Sequence, residues 1–138
     1  MRGPCIFCSI VRGELEASLV GRGEGWVAFL DARPVFKGHV LVVPPVHRET
    51  LADLEPPEVE PLFSAVRRLS AVVPEALGAQ GTFVAMNNKI SQSVPHLHVH
   101  VVPRAKGDGL KGFFWPRYKY EGAEEMEAYR AKIAAALG

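Results

Sequence analysis

Three features are scarce in this sequence: cysteine, net charge and long apolar runs. The 138 residues include two cysteines, too few for a disulfide framework. Lys and Arg number 16 against 15 Asp and Glu, which gives a formal net charge of +1. This balance argues against a nucleic-acid partner, but it does not exclude one small anionic ligand held by a few local groups.

The apolar segments are too short to act as membrane spans, because none approaches the roughly 20 residues that cross a bilayer. The opening residues, Met1–Val11, hold one basic residue and a short apolar stretch, a poor match to a secretory signal. We therefore expect a soluble cytoplasmic protein without a membrane partner. In that compartment the two cysteines are expected to be thiols or metal ligands.

What the sequence does contain is ordinary globular composition, with 48% hydrophobic and 22% charged residues. This excludes a disordered tail, a collagen-like repeat and a coiled coil. At roughly 150 residues per domain, residues 1–138 are expected to form a single domain with its own core.

Hydrophobic periodicity predicts mostly strands, with one long central helix and one terminal helix. Alternation and β-branched residues predict four strands, Trp26–Leu30, His39–Val43, Thr82–Met86 and Leu97–Val102. The three glycines of Gly21–Gly25 predict a turn. Apolar residues spaced by three and four predict a helix within Leu51–Leu77 and another over Glu124–Leu137. The order predicts an α+β fold, an antiparallel sheet with helices to one side.

The bounds of the central helix are left open by its prolines. Pro57 suits a first helical turn, whereas Pro61 would clash with the carbonyl four residues back if the helix were already running. Pro74 predicts an end or a kink before Leu77.

Three histidines in alternation dominate the chemistry. His96, His98 and His100 lie at i, i+2 and i+4, about 6.6 Å apart along a strand and on one face of it. The residues between them would face the core. Two other interpretations are a merely polar strand face and a metal site made of all three imidazoles.

The run His96–Val102, H-L-H-V-H-V-V, resembles the signature of the histidine-triad (HIT) family of nucleotide hydrolases and transferases. Further similarity lies in Cys5–Glu14, Phe29–Val43 and Gln92–Val94, so that the resemblance covers nearly the whole chain. It implies an antiparallel sheet with one long central helix and a C-terminal helix. It also implies a homodimer in which the sheet continues across the two-fold axis.

The resemblance implies that His98 is the nucleophile toward an α-phosphorus, and neutral imidazole suits that task because its unperturbed pKa is about 6.5. His100 and His39 would orient the phosphoryl oxygens, and Ser93 would assist the leaving group. Gln92 and Asn87 are similar to phosphate-side donors. Here the chain departs from the family, because the loop from Asn87 to Ser91 lacks the usual glycines and Asn88 is an alternative to Asn87.

On the nucleoside side, the resemblance assigns Asp31 to the ribose hydroxyls, which suit a carboxylate acceptor. The alternative is an Asp that only terminates a strand. The family's apolar base pocket corresponds to Ile6, Phe7, Ile10, Leu15 and Phe29. For each of these residues, simple core packing is the alternative.

A Cys-x-x-Cys pair opens the chain. Some family members with such an opening hold a structural zinc, and the ligands that the resemblance implies here are Cys5, Cys8, His47 and His96. Two thiolates and two imidazoles make a closed tetrahedral set. A redox role is the alternative, although the expected βαβ context is missing. The implied chemistry requires no catalytic metal.

These features predict hydrolysis at the α-phosphate of dinucleoside polyphosphates through a nucleotidyl-His98 intermediate. Two segments point to different branches of the family. Pro103–Asp108 resembles the polyphosphate-cleaving branch, whereas Trp115-Pro116 resembles the phosphoramidase branch. Phosphoramidates or aminoacyl adenylates, transfer to orthophosphate, and a zinc-stabilised binding module without turnover are the alternatives. The aromatic run Phe113–Trp115 suggests packing at a dimer interface or against substrate.

Overall fold

The computed structural model describes residues 5–111 and 116–138. Within them the helices are α1 (Ile6–Val11), α2 (Pro56–Leu77) and α3 (Ala123–Leu137), with one 3-10 turn at Leu51–Asp53. The strands are β1 (Leu19–Gly23), β2 (Trp26–Leu30), β3 (Val40–Val43), β4 (Gly81–Ala85) and β5 (Val99–Arg104). The five strands form one antiparallel sheet in the order β1-β2-β3-β5-β4. The predicted α+β class is confirmed.

Strand β1 corrects the predicted turn over Gly21–Gly25. Gly21 and Gly23 belong to the strand, and only Glu24 and Gly25 turn the chain. The glycines serve the neighbouring strand, because a Cβ on Gly23 would lie 2.6 Å from the indole Nε1 of Trp26. Gly21 and Gly23 therefore leave space for Trp26, whereas Gly25, at φ 82°, serves the reversal itself.

Helix α2 packs on one face of the sheet through a stripe of buried residues, Leu62, Ala65, Val66, Leu69 and Val73. It begins at Pro56 and runs past Pro74 to Leu77, so the expected end before Leu77 is wrong. Gly78, in the left-handed region at φ 68°, ends the helix after Leu77 instead.

Helix α1 lies on the opposite face, where Phe7 and Ile10 pack with Val27, Phe29, Leu41 and Val43. The expectation of helices on one side therefore holds for α2 and not for α1. Six residues are too few for a periodic signal, and the sequence did not predict this helix.

The described residues fall into two compact units, within Met1–Asp108 and within Gly109–Gly138. In the second unit, α3 follows an N-terminal Gly122, and the rings of Tyr120 and Tyr129 meet edge to face at 5.7 Å. The predicted aromatic contacts of Phe113–Trp115 lie outside the described residues. In the described part of the chain, no helix combines the length and apolarity of a membrane span.

Candidate active site

Strand β5 and the residues just before it present the three histidines on the sheet face that carries α1. Leu97, Val99 and Val101 are fully buried against α2, as the predicted alternation requires. The imidazoles of His98 and His100 face the other way, with their ring centres 5.0 Å apart.

One ring nitrogen of His98 makes a hydrogen bond to the backbone, and the other is left for a ligand. Its Nδ1 lies 2.8 Å from the carbonyl oxygen of His96, which can only accept, so Nδ1 carries the proton and donates it. The lone pair is therefore on Nε2. The ring is 4% exposed, and the edge of Phe7 contacts it with centroids 5.1 Å apart. A buried imidazole held in this tautomer suits nucleophilic attack.

His39 and His100 form a second ordered pair. The backbone N–H of Val35 donates to His39 Nδ1 at 3.1 Å, so the proton of His39 is on Nε2. That Nε2 lies 2.9 Å from His100 Nδ1 and donates to it, which leaves the His100 proton on Nε2. His100 thus offers an N–H donor, whereas His98 offers a lone pair.

Burial keeps both rings of this pair neutral. It is the largest cause of the lowered pKa of His39, opposed by the carboxylate of Asp31. Burial, together with the neighbouring His98 and His39, lowers the pKa of His100 to about 4. His100 lines the cavity described next, whereas His39 is not among the residues that line it and contacts His100 from behind.

A cavity of about 1240 Å³ opens in front of His98 and His100. Ser93 and Asp31 line it beside these two histidines. All five residues predicted for the apolar base pocket also line it: Ile6, Phe7, Ile10, Leu15 and Phe29. The wall therefore combines an apolar region with ionisable groups that include two imidazoles and the carboxylate of Asp31.

Asp31 is placed for both roles considered for it, the turn after β2 and the binding of ribose hydroxyls. Its Oδ1 accepts from the backbone N–H of Arg33 at 2.8 Å, which is turn chemistry. Its Oδ2 lies 3.7 Å from His39 Nδ1, and the side chain is 24% exposed on the cavity wall. One oxygen shapes the loop, and the other is available to hydroxyl donors.

Sequence reasoning missed several lining residues, including Glu16, Ser18, Arg33, Leu41 and Val94. Val94 belongs to the segment Gln92–Val94, and Leu41 pairs with His100 across the ladder, so these two could have been found. Glu16 and Ser18 precede the unpredicted β1, and no sequence pattern marks them.

Gln92 and Asn87 do not line this cavity. The amide of Gln92 donates to the Glu49 carbonyl at 2.6 Å and accepts from the Lys89 N–H at 2.8 Å. Asn87 donates to the carbonyl of Ser91 at 3.1 Å. Their role as phosphate donors stays a prediction, and in this structure they stabilise the loop.

The same loop holds two non-glycine residues in the left-handed region, Lys89 at φ 70° and Ser91 at φ 61°. Asn88, the alternative to Asn87, accepts from the N–H of Leu51 at 2.8 Å. Side-chain amides thus hold a backbone shape that glycine would adopt freely.

The four predicted zinc ligands converge beside α1. Cys5 Sγ lies 3.4 Å from His96 Nδ1, and Cys8 Sγ lies 3.3 Å from His47 Nδ1 and 3.5 Å from His96 Nδ1. Four such donor atoms lie within 4.8 Å of one another. Tetrahedral zinc, with Zn–S of about 2.3 Å and Zn–N of about 2.0–2.1 Å, requires S···N separations of about 3.5 Å. The donor set therefore fits zinc in both chemistry and spacing.

The surroundings of His96 orient it as a ligand. Its Nε2 donates to the carbonyl of Pro44 at 2.9 Å, so that Nδ1 carries the lone pair toward the thiols. Burial, and next the hydrogen bond with Cys5, raise the pKa of the Cys8 thiol. Metal binding would therefore release a proton from Cys8.

Comparisons with known proteins agree with this geometry. The HIT domain family model matches residues 12–107. The chain is 31% identical over 135 residues to the adenosine 5'-monophosphoramidase hnt1 of Schizosaccharomyces pombe, covering 96% of this chain and 98% of that protein. It is similar to a HIT family protein from Bacillus subtilis, with TM-score 0.88, 32% identity and 99% of each chain covered. It is also similar to a zinc-bound histidine triad protein from Mycobacterium smegmatis, with TM-score 0.73, 34% identity and 96% of each chain covered.

Proposed function

Because this chain belongs to the HIT domain family, we propose that it is a hydrolase that cleaves nucleoside 5'-phosphate derivatives at the α-phosphorus and releases a nucleoside monophosphate. The observation that carries the proposal is the tautomer of His98. Its Nδ1–H is bound to the His96 carbonyl, and its Nε2 lone pair is left for phosphorus.

In the proposed reaction, Nε2 of His98 attacks the α-phosphorus and the bond to the leaving group breaks. Water then attacks the same phosphorus and releases the monophosphate and free imidazole. The Nε2–H of His100 would donate to a phosphoryl oxygen, with its orientation fixed by His39. Ser93, on the cavity wall, would donate to the leaving group.

The proposed first substrate class is the dinucleoside polyphosphates, such as diadenosine tetraphosphate or triphosphate. The size of the cavity supports this class. At about 1240 Å³ it exceeds the roughly 300–1,000 Å³ typical of small-molecule sites, which leaves room for a large leaving group. Against the same wall, Asp31 would accept from the ribose hydroxyls and the five apolar residues would hold the base.

A second candidate class is the purine nucleoside phosphoramidates. It is favoured by similarity over nearly the full length of both chains to a protein named as an adenosine 5'-monophosphoramidase. A phosphoramidate would lose its leaving group by breaking a P–N bond and a polyphosphate by breaking a P–O bond. The attack by His98 is the same for both.

The test is chromatographic product analysis with diadenosine tetraphosphate and with adenosine 5'-phosphoramidate, each with and without orthophosphate. AMP plus ATP in both conditions supports the first class, and AMP from the phosphoramidate alone supports the second. ADP formed only with orthophosphate indicates a phosphorylase. His98→Ala is the control and should lose all turnover while still binding AMP. Turnover within a few-fold of the unchanged protein would contradict the covalent mechanism.

The ribose role of Asp31 has its own control. Asp31→Ala should weaken AMP binding, and it should remove the preference for AMP over 2',3'-dideoxyadenosine monophosphate. An undiminished preference would assign the hydroxyls to another group.

We further propose a structural zinc held by Cys5, Cys8, His47 and His96, and a cytoplasmic homodimer whose sheet continues across the partner. Both cysteines are free thiols in the structure. Strand β4, with Val84 41% exposed, ends the sheet and offers an edge for such pairing. Metal analysis after purification without chelator, and light scattering in solution, test these two proposals separately.

A further inference from the structure

Helix α1 connects the two candidate sites. Its N-cap Cys5 and its third residue, Cys8, supply both thiols of the metal cluster. Between and after them, Ile6, Phe7 and Ile10 line the nucleotide cavity. One helix of six residues therefore carries half of the metal ligands and three residues of the proposed base pocket.

So short a helix does not hold its position by itself, because isolated helices below about 12–15 residues are marginal in water. Its apolar anchors are Phe7, 7% exposed, and Ile10, 8% exposed. Its first turn is closed by a sulfur atom, since Cys5 Sγ accepts from the backbone N–H of Cys8 at 3.3 Å. The thiols add a polar attachment to the triad segment, because both approach Nδ1 of His96.

Phe7 transmits the position of this helix to the nucleophile. Its ring meets His96 at a centroid distance of 5.9 Å and His98 at 5.1 Å, both edge to face. His96 in turn offers its ring to the thiols and its backbone carbonyl to His98 Nδ1. A shift of α1 would move the wall of the base pocket and one contact of His98 together.

We propose that Cys5 and Cys8 are positioning residues for nucleotide binding, so that zinc and a nucleoside 5'-monophosphate bind with positive coupling through α1. This inference rests on the proposed function and adds a regulatory dependence to it. The bound metal fixes α1 against the triad segment, and a nucleotide that contacts Ile6, Phe7 and Ile10 holds the same helix from its other side. Coupling of this kind is reciprocal, so each ligand must strengthen the other by the same factor.

The test measures the coupling in both directions on the unmutated full chain. AMP affinity is measured by calorimetry on zinc-loaded protein, on protein stripped with a chelator, and on stripped protein reloaded with zinc. In parallel, transfer of zinc to a chromogenic chelator is followed with and without saturating AMP. We expect AMP to bind at least about tenfold more weakly after stripping, and zinc affinity to rise by the same factor when AMP is present.

Variants in the same helix sharpen the test. Cys8→Ser should weaken AMP binding and raise KM for the cleaved substrate far more than it lowers kcat. Ser9→Ala is the matched control, because the Ser9 hydroxyl makes no hydrogen bond among the described residues, and it should leave both affinities unchanged. Hydrogen exchange across residues 5–12 should speed up in Cys8→Ser and not in Ser9→Ala. If Cys8→Ser fails to fold, the zinc-transfer measurement on the unmutated chain still decides.

Two negative outcomes are distinguishable. AMP affinity and zinc transfer that change less than about twofold, in a protein that binds AMP and turns over substrate, would overturn the coupling and leave the proposed function intact. A zinc-loaded protein that neither binds AMP nor turns over substrate would overturn both.

Discussion

His96 and His98 are two residues apart on the same face, yet the structure presents opposite nitrogens of their rings. His96 donates from Nε2 to the Pro44 carbonyl and turns Nδ1 to the thiols. His98 donates from Nδ1 to the His96 carbonyl and keeps Nε2 for the cavity. The difference teaches that the position of the carbonyl that accepts the N–H hydrogen bond decides which ring nitrogen keeps its lone pair, and so whether the imidazole is a ligand or a nucleophile.

The largest expected effect is on the turnover rate, which should depend on the nucleophile His98 independently of the metal ligand His96. His98→Asn keeps an N–H donor near the position of Nδ1 and removes the nucleophilic nitrogen. We expect turnover to fall at least about 10³-fold in single-turnover measurements, with metal content unchanged. Retained turnover, or loss of zinc from this variant, would show that the two histidines are not divided as described.

The next largest effect is the loss of protein stability expected when a ligand of the metal cluster is removed. His96→Ala removes a fully buried ring and one of the four donors. We expect it to lose stoichiometric metal and to lower the free energy of unfolding by about 3 kcal/mol or more, as measured by denaturant titration. A stability equal to that of His98→Asn would mean that the cluster does not stabilise the fold.

A smaller effect concerns the pair behind the cavity. His39→Leu removes the donor to His100 Nδ1, whereas His39→Gln places an amide donor near the position of Nε2. We expect kcat to fall about 10–100-fold in the Leu variant and less in the Gln variant, with AMP affinity little changed. Equal losses in both variants would indicate that His39 acts by another route than orienting His100.

The smallest effect is the pH dependence of stability. The pKa of His100 is lowered to about 4, and that of His39 is lowered as well, both by burial first. As pH falls below about 6.5, the unfolded chain takes up these protons before the folded chain does. Stability is therefore complete above that pH and is lost as pH falls toward 4.

Thermal unfolding between pH 4 and 8 checks this. The protein is stripped of metal for this measurement, because protons would otherwise also compete for the metal ligands. We expect its unfolding temperature to drop by about 5 °C as pH falls from 8 to 4. His100→Asn should have a shallower slope. An unchanged slope would assign the pH dependence to other groups.

Much of the fold follows from local patterns. Strand Trp26–Leu30 was predicted to the residue, and the terminal helix begins one residue before its predicted start, at Ala123. The central helix was predicted within Leu51–Leu77, and it occupies Pro56–Leu77 of that range. Strand β5 runs on through Pro103, where the pattern predicted an end at Val102. The last pairing of β5 with β3 is at Val101, so at Pro103 only β4 is adjacent, and the missing N–H costs no bond between β3 and β5.

The candidate site also has features that the sequence predicted and features that only the folded chain shows. The alternation of His96, His98 and His100, and the four residues of ligand type, are properties of the sequence. Gln92 was expected on the phosphate, but its amide is held by the backbone of Glu49, 43 residues away, a contact that no local pattern encodes. Helix α1, too short for a period, was not predicted although it carries residues of both sites.

The sequence by itself determined which chemical groups are available and, through strand alternation, that three imidazoles share one face. It also supplied the partner of His98, because the carbonyl of His96 is only two residues back. Only the tertiary structure decided the rest. The Nε2–H of His96 donates to the carbonyl of Pro44, 52 residues away, and the Nε2–H of His39 donates to Nδ1 of His100, 61 residues away. A tautomer is fixed by whichever polar group packs against the ring, and such partners are brought together only when the chain folds.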